Sequence, residues 1–282
     1  MALDLRPSSI AGTWYESDPA ALRRSVDHHL DHASLPPLEG EVLGVIAPHA
    51  GHVYSGPVAG HAFAAVRGRR PQVVALLSPF HEYHPSPLLV TSHEAYETPL
   101  GAVPVDRELL QKLEAELQAS GGMRLQSIAR DREHSLEIEL PFLQRALAAP
   151  FRLLPLMVRV MDPGASMALG SALVEALKDT DALLVGSTDL SHFYDQRTAG
   201  ILDAEMLRQI EDFSIQGMFT AEYSGKGFAC GLGAVAAVLW AARLMGADRV
   251  QVLKHATSGD VTGDYEKVVG YAAAAILKSR PA

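Results

Sequence analysis

The chain is 282 residues long, 48% hydrophobic and carries a formal net charge of −9. That is enough apolar material for one large α/β core, and the wrong sign for a protein whose main partner is a polyanion such as nucleic acid. A single cysteine excludes an internal disulfide framework, and with no apolar leader and no apolar run of the ~18 residues a membrane span needs, the chain reads as cytoplasmic, with no membrane partner.

In chain order, Asp18-Pro19 sets a capping side chain before a proline at the first helical position and predicts a helix over 19–32, whose His28, His29 and His32 read as solvated surface. The run VLGVIA at 42–47 predicts a strand, and Ser55-Gly56-Pro57 a second helix over 57–67. Further strands are expected at 73–77, 152–160, 182–186 and 250–254. Helical spacing marks 106–119, 134–147, 164–178, 198–212 and 230–245, and the tail VVGYAAAAIL predicts a last strand. The apolar runs are short, bounded by Pro, Gly, Ser or Asp, and too uniform for one-sided strands, so they read as strands covered on both faces. Their alternation with helices predicts crossover units and a mainly parallel or mixed central sheet with helices on both faces. With no repeat and no long linker, residues 1–282 read as a single domain.

In such sheets ligands sit beyond the carboxyl ends of the strands. Three predicted strands run into a histidine there: Pro48-His49, Ser78-Pro79-Phe80-His81, and the stretch Ser187 to His192. Imidazole suits iron, zinc, copper or nickel, and a first-row metal is the commonest reason to gather neutral imidazoles on a rigid frame. Cys230 lies in GFACGLGAVAAVLW, where a Gly-bounded loop opens a helix whose N-terminus would favour the thiolate, the metal-binding form. In DREHSLEIELPFL, Glu133, His134 and Glu137 fall within a turn of a helix start; they read either as capping acids or, for His134, as an acid, base or substrate donor. Asp189 and His192, three apart, read as a carboxylate orienting an imidazole on one helical side. Ser187 and Ser191 lack the Gly-x-Ser-x-Gly setting of an exposed nucleophile. Asp260, Asp264 and Tyr265 lie in a Gly/Asp-rich loop without calcium-loop spacing and read first as turn formers, with lining of the crevice as the second reading.

Seven blocks, AGTWYESDP, APHAGHVYSGPVAGHAF, ETPLGAVPVD, EHSLEIELPFL, STDLSHF, CGLGAV and TSGDVTGDYEKVVGYAA, resemble in order the Memo-like proteins, also called AmmeMemoRadiSam system protein B. That resemblance covers nearly the whole chain. It implies a fold similar to the class III extradiol ring-cleaving dioxygenases, which use non-haem iron(II). It also implies metal ligation by His49, His81 and Cys230, with Asp189 and His192 lining the same pocket. Two departures stand out: Phe80 occupies the place of a small polar residue before His81, and Cys230 replaces the carboxylate of the dioxygenase ligand set. The reading that follows is a metal-dependent oxidoreductase with one bound ion, iron(II) foremost, copper or zinc as the other candidates. His192, oriented by Asp189, would act as acid or base, with His134 assisting. The alternative is a non-catalytic ligand- or partner-binding protein on the same frame, accessory to a radical-SAM-linked modification pathway, with radical-SAM and AMMECR1-type proteins as partners. A third is metal-assisted hydrolysis.

Overall fold

The computed structural model describes residues 3–279, apart from the side chains of Ser120 and Gly121. The first half runs β1 (Leu5–Arg6), α1 (Pro19–Asp31), β2 (Glu41–Ala47), α2 (His52–Ala64), β3 (Val73–Pro79), β4 (Leu88–Thr91), β5 (Ala95–Tyr96), β6 (Val103–Pro104), α3 (Arg107–Gly121) and β7 (Gln126–Ile128). A 3-10 turn (Glu137–Glu139) leads into α4 (Leu140–Ala146), followed by β8 (Arg152–Val158), α5 (Pro163–Ala176), β9 (Ala182–Ser187) and β10 (His192–Tyr194). The chain ends with α6 (Gln196–Glu211), α7 (Ile215–Tyr223), α8 (Leu232–Leu244), β11 (Arg249–Thr257), α9 (Gly259–Thr262) and β12 (Val268–Lys278).

Nine strands form the main sheet in the order β10-β12-β2-β9-β3-β8-β4-β7, with β11 paired to β12. Its centre, β2-β9-β3-β8, is parallel. Every residue of β3 is buried, as a strand covered on both faces requires. Helices α1, α2 and α4 form one packed group, with α2 against β2 and β12; α8, with α5, packs against β3 and β9. The flanks run the other way, β12 antiparallel to β2 and β11, and β4 antiparallel to β8, so the sheet is mixed. A small sheet, β1-β5-β6, carries the N-terminal segment.

Asp18 caps α1 as its sequence predicts, accepting from the Ala21 N–H at 2.7 Å. Two helix boundaries differ from expectation. α2 starts at His52, so Pro57 lies inside it, and Ser55 Oγ donates to the Ala50 carbonyl instead of capping. The proline forfeits one backbone bond, a loss that packing of the buried face of this helix (Val58, Ala59, Ala62 and Phe63 among it) against the sheet outweighs. The helix expected from 134 does not begin until the 3-10 turn at Glu137, because the Glu133 carboxylate takes the N–H groups of His134 and Ser135 and holds them as a turn.

Candidate metal centre

The carboxyl ends of β2, β3 and β9 open on one crevice. His49 follows β2 and is 2% exposed. Its Nδ1 lies 2.9 Å from Ser187 Oγ at the end of β9. The Ser187 hydroxyl has its own acceptors, Glu139 Oε1 at 2.6 Å and the Ser135 carbonyl at 3.0 Å, so His49 donates from Nδ1 and turns an unprotonated Nε2 inward. His81 follows β3 and donates from Nδ1 to Glu133 Oε1 at 2.9 Å, with its backbone N–H on Glu133 Oε2 at 2.6 Å. His134 comes from the turn before α4 and stacks on His81, centroids 4.7 Å apart, while His49 meets both rings edge-on at 5.3 and 5.6 Å. One nitrogen from each of His49, His81 and His134 falls within 4.8 Å of the others. The three imidazoles can therefore hold a metal ion, and the donor set suits one: two rings have Nδ1 committed to an oxygen, the usual outer support of a ligating histidine.

Cys230 stands beside this group, its Sγ 3.1 Å from His49 Nε2 and 3.2 Å from the Asp189 N–H that donates to it. It arrives there because α8 opens against the strand ends. A Cβ on Gly231 would strike the Ser187 carbonyl, and one on Gly233 the Val160 carbonyl. Burial and the nearby Asp189 push the thiol well above its ordinary range, against the thiolate expected from the helix N-terminus, and place the S–H where it can donate to His49 Nε2. Asp189 does not orient His192. Its carboxylate accepts from the His49 N–H at 2.8 Å and from Ala50, and His192 instead donates from Nδ1 to the Leu190 carbonyl at 2.7 Å. The pair lies on an extended loop, so three-residue spacing does not place the two on one side.

Burial sets the remaining electrostatics. It raises Asp189 to about 7 and lowers His134 to about 4 and His192 below 6.5. His81 moves the other way, because the bond and charge of Glu133 overcome burial, and Glu133 in turn is held well below the carboxylate range. Glu139 is fully buried and raised, burial again being the cause. Beneath the centre Arg6, 3% exposed, binds Asp131 at 2.6 Å, Glu137 at 2.7 Å and the Glu133 carbonyl at 2.7 Å, tying β1 to the segment that carries His134. Beside it a cavity of about 410 Å³ is walled by Trp14, Tyr54, Phe193 and Tyr271, with Asp264 and Lys267. Trp14 packs on His134 at 4.2 Å between ring centres. Sequence reasoning passed over Glu139, Arg6 and Trp14, weighed Ser187 only as a nucleophile, and read Glu133 as a capping acid. The adjacency of Glu133 to His134 was the signal at this turn that pointed to an acid serving an imidazole.

Fold and site together define a mixed α/β protein with an imidazole-lined pocket, able to hold a metal ion, at the carboxyl ends of its parallel strands. A family model described as Memo-like protein matches residues 6–275, and the chain belongs to that family. A MEMO1 family protein of Methanothermobacter thermautotrophicus is 38% identical over 95% of this chain and 99% of its own. Another, from Methanopyrus kandleri, is 34% identical over 95% and 97%. A solved structure of an uncharacterized Escherichia coli K12 protein covers 82% of this chain and 99% of its own at 15% identity, with a TM-score of 0.49. Among the described residues no helix is long and apolar enough to cross a membrane.

Proposed function

We propose that this protein is a metal-dependent oxidoreductase with a dioxygenase-like pocket, holding one non-haem iron(II) or copper ion. The observation that carries the reading is the convergence of His49, His81 and His134 to within 4.8 Å, backed by Ser187 and Glu133. Imidazole nitrogen suits both ions, and a bound ion would supply redox chemistry at positions the protein leaves open. Cys230 is the fourth donor: turning its proton away from His49 Nε2 and losing it to solvent or substrate would put sulfur and nitrogen side by side.

The chain's own groups divide the remaining work. His49 closes the inner wall, and His81, more than a third exposed, faces the entrance. His192, with Nδ1–H committed to Leu190, presents Nε2 as an acceptor, and its lowered pKa keeps it neutral, which suits a general base. His134, packed on Trp14 and held neutral by burial, serves as the third imidazole of the trio. Asp189 fixes the backbone of His49 and so the ligand's approach. Residues 1–282 act as one unit in this reading; Met1, Ala2 and 280–282 lie outside those described.

Metal analysis of protein purified without added metal tests the reading, alongside His49→Ala, His134→Ala and Cys230→Ser. About one ion per wild-type chain, lost in all three variants, is expected; equal metal content in all four proteins would overturn it. Oxygen uptake with a panel of catechols, abolished in His192→Ala, is the expected sign of turnover. Zinc retention without oxygen dependence would move the reading to hydrolysis.

A further inference from the structure

On the other side of Trp14 from the metal centre, the turn at 10–16 and helices α1 and α2 enclose a second cavity of about 420 Å³, with Glu16, Ser25, His29 and His52 on its wall. Two of these residues leave buried polar atoms without a partner, Glu16 Oε2 and His52 Nδ1. His52 is 3% exposed, and its Nε2–H donates to the Ile138 carbonyl at 3.1 Å, which leaves Nδ1 as an unprotonated acceptor. His29 reaches the cavity from α1 through a gap kept by Gly56, where a Cβ would meet its imidazole. Burial holds both rings down to about 4, His29 with the help of His28 and His52 with that of His29, so both are neutral acceptors at neutral pH. Among the described residues no lysine or arginine forms an ion pair with Glu16. The cavity thus offers one carboxylate and two imidazole lone pairs, with no cation to answer them. A buried acceptor left unpaired costs about 1–3 kcal/mol, so two on one wall, Glu16 Oε2 and His52 Nδ1, with the half-buried His29 beside them, call for a donor.

We propose that this cavity binds the primary ammonium group of a small alkylamine, with Glu16, His29 and His52 accepting its three N–H bonds and the rings of Trp14 and Tyr15 beside its hydrocarbon stem. An anion finds no positive partner here. A metal ion fits less well than ammonium: the set whose ligand atoms share a 4.8 Å span is the histidine trio of the other site, not this one. Hydrogen bonds of about 2.8–3.0 Å serve acceptors set wider apart than metal bonds of about 2.0–2.2 Å do.

Calorimetric titration of the full chain with n-butylammonium, and with n-butanol as its uncharged counterpart, tests the proposal. Saturable one-to-one binding of the amine, and none of the alcohol at the same concentration, is expected. Glu16→Gln keeps the side-chain shape and removes the charge, and is expected to weaken binding at least about tenfold with an unchanged melting temperature. Ser25→Leu puts bulk into the same cavity from α1 and is expected to weaken it as well, so the test survives poor folding of either variant. Absence of saturable binding, equal affinity for butanol, or wild-type affinity in both variants would overturn the assignment. So would stoichiometric zinc(II) binding at this cavity in a His49→Ala background, lost in Glu16→Gln, since that would make it a metal site.

Discussion

Glu133 gathers four N–H groups onto one carboxylate: the backbone and Nδ1 of His81, and the backbones of His134 and Ser135. It therefore aims one imidazole of the trio and anchors the turn that delivers another. Glu133→Gln keeps the volume but replaces one acceptor oxygen by a donor, so at least one of these bonds turns repulsive. Loss of such an outer-shell partner is expected to cost about 10–100-fold in metal affinity, read by competition with a chromophoric chelator. On the other flank Ser187→Ala strands His49 Nδ1 and removes the bond to Glu139. Unpairing buried groups is expected to lower unfolding stability by about 1–3 kcal/mol, measured by urea denaturation. His52 gives a pH signature independent of the metal. Burial depresses it from 6.5 to about 4, so between those values the unfolded chain binds a proton that the folded chain refuses, and acid favours unfolding. Its stabilising share is fully present above about pH 6.5 and disappears as pH falls to about 4, a loss of about 3 kcal/mol. Denaturation curves at neutral and acid pH are expected to show this slope, and His52→Gln to flatten it.

At the scale of elements, the close seat of α8 decides where the sulfur goes. Gly231 and Gly233 lie so near the Ser187 and Val160 carbonyls that any side chain must push the helix start outward. Gly231→Ala is expected to destabilise by about 1–3 kcal/mol through overpacking and to weaken metal binding through Cys230, whereas an alanine at the half-buried Gly200 of α6, with open space around it, is expected to leave metal binding unchanged and to raise stability by about 0.5–1 kcal/mol. Chelator competition on the two variants separates these outcomes. The seat was partly legible: GFACGLG announces a Gly-bounded helix start, but nothing local says which carbonyls the glycines approach. The same limit explains the displaced starts of α2 and α4. Pro57 and the Glu133–His134 pair carry local signals for a helix boundary, and in each case a partner distant in sequence, the sheet for α2 and His81 for Glu133, set the boundary elsewhere.

For the molecule as a whole, the parallel centre was readable because strands buried on both faces must be apolar along their interior, and β2, β3, β8 and β9 are, with Glu41, Arg152, Ser78 and Ser187 confined to their ends. Strand direction at the flanks was not, since an apolar run reads the same both ways. What turns β12 against β2 is its partner: β11 and β12 form an antiparallel pair joined through α9, and so bring the chain back reversed. The histidines at the strand ends were legible as a group, while the acid and hydroxyl behind them were not, because Ser187 meets His49 across 138 residues and Glu133 meets His81 across 52. The late strand also governs the site. β12 pairs with β2 and β11 along nearly its whole length, and its Gly270 exchanges backbone bonds with Leu190 and Ser191, which flank Asp189 and His192. Removing residues from Val268 onward would strip a run whose Tyr271 to Leu277 are all buried and leave the inner strand β2 with an open edge. Since a domain of this kind is held by only about 5–15 kcal/mol, the truncated chain is expected to show no cooperative thermal transition and to aggregate. A truncation that still melts cooperatively and still binds one metal ion would mean that the four-strand parallel centre assembles the crevice unaided.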